Sequence, residues 1–166
     1  RVQFRHGSIV PILGKEYKIS HHPRDFGNVW LKEGPDIQIP ELRVSGGSDH
    51  IARRVRDWLK KYAKNEVTYK ATKFSNLLNK EIKKVSVRDT RTRWGSCSSR
   101  GNLSFSWRLV FAPERIVDYV CAHEAAHLVE LNHSPRFWKL VYQLVGEWES
   151  SKEWLRKNGA RLHRYG

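Results

Sequence analysis

Apolar and polar residues alternate through residues 2–12, and the stretch LGKEYKIS reads as a turn entering a second strand. NVWLKEGPDIQIP reads as a hairpin about Gly34-Pro35. From Ile51 the period changes: Val55, Trp58, Leu59 and Tyr62 recur at helical spacing, and Phe74, Leu77 and Leu78 predict more helix beyond them. Ser45-Gly46-Gly47-Ser48 separates the two regimes as a linker, with Ser48 as an N-cap. VSVRDTRTRW and NLSFSW then predict two strands about the turn-prone GSCSSRG, and helices over 113–131, 135–145 and 150–158 close the chain. The expected class is α+β, with a small β-rich lobe over 1–45 and a second unit over 46–166.

One helix carries residues that its pattern does not explain. Pro113 suits the first helical position, where its missing N–H costs nothing, and Glu114 suits the positive end of the helix. At 100° per residue from His123, the residues Ile116, Val120, Leu131, Val117 and Leu128 cover an arc from roughly 20° to 140°. Glu114, Arg115 and Asp118 fall on the opposite side. His127 and Glu124 lie inside the apolar arc, at roughly 40° and 100°, and His123 lies at its edge, at 0°. Burying one such group without a partner costs roughly 1–3 kcal/mol. Three together need a common purpose.

A metal ion supplies that purpose. Histidines four residues apart sit on one side of a helix, about 6 Å apart along its axis, and both can reach one ion. Glu124 flanks them, placed to meet a water on that ion without being a ligand. His133 would point elsewhere if the helix continued, so the helix must stop. Asn132 tolerates a left-handed exit, and Ser134-Pro135 reads as the N-cap and first residue of the next helix. A sharp turn would then return His133 to the ion as third ligand. Glu147 and Glu149 stand at plausible spacing as alternatives to it.

Composition narrows the setting. Two cysteines in 166 residues give no disulfide framework and fit a reducing, cytoplasmic compartment. No apolar run approaches the roughly 18 residues of a membrane span, so no membrane partner is expected. The net charge of +14 points to a polyanionic partner, and nonspecific DNA or RNA binding is expected if folding gathers the cations on one face. The basic residues are spread through 53–64, 80–93 and 152–164 rather than collected in a tail. A nucleic-acid-binding module with a purely structural zinc therefore stands beside a site in which Glu124 acts on a metal-bound water. Glu124 separates the two, because a closed structural site has no use for a carboxylate that is not a ligand.

The run RDTRTRWGSCSSRGNLSFSWRLVFAPERIVDYVCAHEAAHLVELNHSPRFWKLV, from Arg88 to Val141, resembles the YgjP-like metal-dependent hydrolases, relatives of the SprT-type and Wss-type zinc metalloproteases. RWGSCS, the APxxxxDYVxxHExxHL helix and NHSPxFW carry the resemblance. It implies a zincin-like core, one Zn²⁺ per chain on His123, His127 and His133, Glu124 as the catalytic carboxylate, and a protein or peptide substrate. The basic charge and these relatives together suggest nucleic-acid-associated proteins as substrates. The zincin resemblance also suggests that the strand Leu103–Trp107 offers its edge to an extended peptide. Arg93, Arg108 and Arg136 are near in sequence but read as surface or structural charges, so no residue is assigned to stabilise the oxyanion, and Trp94 and Trp138 read as walls of the site.

Overall fold

The computed structural model describes residues 1–166. Strands β1 (Ile9–Ile12), β2 (Lys15–His21), β3 (Val29–Lys32) and β4 (Glu41–Val44) form one sheet in the order β1-β2-β4-β3. The turn into β2 is tight: Leu13 and Gly14 both take positive φ, 51° and 86°. β3 and β4 pair antiparallel, but the returning strand is Glu41–Val44 rather than the Asp36–Pro40 segment that the hairpin pattern suggested. β4 also pairs with β2 in parallel, aligning Ile19 with Leu42 so that both are fully buried.

A single helix, α1 (Ile51–Leu77), spans the two helical segments read from the pattern. Its N-cap is His50; Ser48 instead opens a short 3₁₀ turn and makes no side-chain cap. Ile51, Val55, Leu59, Ala63, Val67, Ala71 and Phe74 form its buried stripe, at intervals of three and four residues. Lys70 lies on the same side and is buried, with its ammonium 2.7 Å from Asp118 and 3.0 Å from Glu114. Burial alone would lower the Lys70 pKa, but those two carboxylates outweigh it and the pKa is raised. The acidic side of the following helix therefore meets a buried cation on α1.

The second sheet holds β5 (Lys84–Arg88), β6 (Gly95–Cys97) and β7 (Asn102–Ser106) in the order β5-β7-β6. The stretch expected to be only a turn contains β6, which pairs antiparallel with β7, while β5 and β7 run parallel. β7 is thus central and has no open edge; the outer edge of the sheet on that side belongs to β6. Leu103 and Phe105 of β7 point into the core and Ser104 points away, as the period of two requires.

Helices α2 (Glu114–Ala126), α3 (Pro135–Val145) and α4 (Glu149–Leu162) follow. α2 ends five residues earlier than the apolar pattern suggested. Past Ala126 the bonds tighten to three-residue spacing, Leu128 N–H to Ala125 C=O and Val129 N–H to Ala126 C=O, both 3.0 Å. Asn132 takes no left-handed conformation, so the chain turns without one. Ser134 caps α3, accepting from the Phe137 N–H at 3.4 Å, with Pro135 in the first turn. Buried residues of the first sheet, α1, β7, α2 and α3 belong to one cluster, from Val10 and Leu42 through Leu59 and Phe105 to Ala125 and Phe137. No helix is long and apolar enough to cross a membrane.

Candidate metal centre

His123 and Glu124 occupy the last turn of α2, His127 is its C-cap, and the turn over residues 128–134 brings His133 back to them. The His133 Nε2 lies 3.2 Å from the Nε2 of His127 and 3.2 Å from that of His123. One ligand atom from each of the three lies within 4.8 Å of the others. Four ligands at about 2.0 Å from a tetrahedral ion stand about 3.3 Å apart, which the two separations from His133 match. Glu147 and Glu149 stand outside the cluster. Glu147 instead accepts hydrogen bonds from the backbone and hydroxyl of Ser150 at the start of α4.

The ring chemistry agrees with the spacing. Burial holds the His123 pKa down to about 3, with His127, His133 and Lys152 adding to the effect. Burial also lowers that of His127, against the Glu130 carbonyl, which lies 3.0 Å from its Nδ1. Imidazoles held neutral are what a cation requires of its ligands. The Glu130 carbonyl fixes the His127 tautomer with the proton on Nδ1 and the lone pair of Nε2 facing the cluster. Nδ1 of His123 is buried without a protein partner.

Phe137 and Trp138 supply the walls. Phe137 is fully buried, with its ring centroid 4.9, 4.4 and 5.0 Å from those of His123, His127 and His133. Trp138 lies 5.6 Å from His123 and 5.8 Å from His133, and stacks on Trp148 at 3.9 Å. Trp94 is elsewhere: its ring packs against His163 and Gly159 of α4. Of the three arginines singled out from sequence, Arg108 is buried and committed to Asp89 and the Tyr165 carbonyl. Arg136 is exposed and 3.7 Å from Glu130. Arg93 carries the charge that opposes the raised pKa of Glu124.

Glu124 is 5% exposed and outside the histidine cluster. Strand β6 covers it: a Cβ on Gly95 would stand 2.9 Å from both Cγ and Oε2 of Glu124, so any side chain there would have to displace that carboxylate. This glycine was not singled out from sequence, where nothing but its place in RWGSCS marked it. Burial pushes the Glu124 pKa from 4.5 up to about 8, with Arg93 acting in the other direction.

That shift has a consequence for stability. The folded form holds this proton more tightly than the unfolded one, so stability from this group is complete below about pH 4.5 and is lost as pH rises towards about 8. In metal-free protein, Glu124→Gln removes the loss. Its melting temperature should match the parent's near pH 4 and exceed it at pH 8–9, by the equivalent of up to about 4 kcal/mol. Thermal unfolding of both chelator-treated proteins across that range measures the difference; parallel profiles would place Glu124 in the ordinary carboxylate range.

A family model described as YgjP-like, metallopeptidase domain, matches residues 1–158. No curated protein matches the chain. Among solved structures, the crystal structure of the metallopeptidase zymogen of Pyrococcus abyssi abylysin is similar at 21% identity, over 58% of this chain and 95% of that one, with a TM-score of 0.49.

Proposed function

We propose, from the premise that this chain belongs to the YgjP-like metallopeptidase family, that it is a zinc peptidase with one ion held by His123, His127 and His133 and with Glu124 as general base. The observation that carries this reading is the convergence of three imidazoles, with the His133 Nε2 at 3.2 Å from the Nε2 of both His123 and His127, beside a buried carboxylate that is not one of them. Three neutral imidazoles suit zinc and leave a fourth position open. A structural zinc is less well supported, since such sites are usually built with cysteine and both Cys97 and Cys121 lie outside the cluster.

A zinc ion there would polarise a peptide carbonyl and make a water more acidic. The chain's own part follows from its residues. Glu124 takes a proton from the attacking water at a carboxylate oxygen and delivers it to the leaving amine nitrogen. Gly95, lacking a Cβ, leaves the space that this side chain occupies. Phe137 and Trp138 pack against the imidazoles and restrict their rotation. β6, rather than β7, presents the free strand edge beside Glu124, so an extended peptide would pair with Gly95–Cys97.

The test is chelator removal and zinc reloading, followed by mass spectrometry of a mixed-sequence peptide pool. The zinc-loaded protein should cleave internal peptide bonds and the chelated protein should not. An intact pool after incubation with zinc-bound protein would contradict the peptidase reading.

A further inference from the structure

The side of the β5-β7-β6 sheet that faces away from the core is a groove of about 540 Å³ with no carboxylate among its lining residues. Register explains its character. Val85 pairs with Leu103 and Val87 with Phe105 on the core side, which leaves the intervening residues facing outwards. Ser86 pairs with Ser104, and Ser104 with Ser96, so three hydroxyls stand in one row across three strands. With strands about 4.8 Å apart the row is about 10 Å long. None of these three hydroxyls has a hydrogen-bond partner in the protein. Arg88 of β5 and Arg93, before β6, border the same groove, and neither guanidinium is paired with a carboxylate. The nearest acid in sequence, Asp89, is held by Arg108.

We propose that this outer sheet face binds the phosphodiester backbone of a single-stranded nucleic acid. Unpaired guanidiniums and a row of free hydroxyls are all able to donate, and a phosphate presents several acceptor oxygens to them. The net charge of +14 adds a long-range attraction for the same kind of ligand. Recognition is of the backbone rather than the bases, because the only aromatic residue lining the groove, Phe105, turns its ring into the core. A row about 10 Å long fits one polynucleotide chain. No histidine of the cluster lines the groove, and oligonucleotide binding is read without any peptide hydrolysis.

The test uses the full chain and a fluorescently labelled 20-nucleotide single strand of mixed sequence, titrated by anisotropy at low salt. Arg88→Gln with Arg93→Gln should weaken binding at least about tenfold, and should flatten the dependence of log K on log salt by about 1.4, two phosphates at 0.7 each. Lys61→Gln with Lys64→Gln removes the same charge from the exposed side of α1 and should change affinity by no more than about twofold. Ser104→Asp, which puts a carboxylate into the middle of the row, should weaken binding as much as the arginine pair. Circular dichroism confirms that each variant is folded. The inference is overturned by any of four results: no binding by micromolar parent, equal losses for the two double variants, displacement by inorganic phosphate at the oligonucleotide's own concentration, which would mark a free-phosphate site, or competition by polyglutamate as effective as by unlabelled oligonucleotide, which would mark a site for acidic peptides.

Discussion

Glu124→Gln leaves zinc bound and lowers peptide hydrolysis at least about 10²-fold. Glutamine keeps the size of the side chain and its carbonyl oxygen but can neither accept the proton of an attacking water nor pass it on, which is the step a positioned base accelerates by about 10²–10⁴-fold. The pocket favours the substitution structurally. Glu124 is buried beneath Gly95, and a neutral amide fits an environment that already pushes the carboxyl pKa up to about 8. Loss of activity in this variant would therefore not reflect unfolding. Metal content by mass spectrometry and the melting temperature are the two controls. Undiminished turnover with zinc in place would remove Glu124 from the mechanism and open the search to another base.

His133→Ala should weaken zinc binding by well over 100-fold, more than the 10–100-fold that follows loss of an outer hydrogen-bond partner of a ligand. The side chain is exposed, and its ring nitrogen is the one that stands 3.2 Å from both of the others. Removing it leaves two imidazoles and little else within reach. The fold should persist, because the turn into α3 is held by the Ser134 cap and by the fully buried Phe137 rather than by His133. Competition titration against a chromophoric chelator measures the change. An unchanged affinity would exclude His133 as third ligand and return attention to Glu147, whose present bonds to Ser150 would then have to break.

The helices and the histidine cluster were legible in the sequence for different reasons. α3 begins at Pro135 and ends at Val145 as its pattern implies, because Ser134-Pro135 is an unambiguous start signal. The need for a turn after His127 followed from the angle at which a continued helix would have pointed His133. Where α2 stops was less legible: Leu128 and Leu131 continue the apolar period, yet the backbone tightens after Ala126 and leaves Leu131 two-thirds exposed. A hydrophobic pattern cannot register a bend imposed by where a later residue must go.

The sheet around the site was less legible still. GSCSSRG has the composition of a turn, and its first three residues become a strand because β7 offers them a ladder. That pairing takes β7 out of consideration as a free edge and gives the role to β6. Gly95 has no local signal either, since the atom it must avoid belongs to Glu124, 29 positions along the chain. The row Ser86–Ser104–Ser96 is likewise set by register between strands, and neither the alternation within a strand nor the total charge could have located it.

The central claim is that three imidazoles of this chain hold a zinc ion with one position left open. X-ray absorption at the zinc edge on protein reloaded with one equivalent tests it directly. The account predicts a four-coordinate site of nitrogen and oxygen ligands at about 2.0–2.1 Å, with the outer scattering of three imidazole rings and no sulfur. In His133→Ala loaded at the same level, the imidazole scattering should fall by a third. A sulfur shell at about 2.3 Å in the parent protein, or a spectrum unchanged by that substitution, would contradict it.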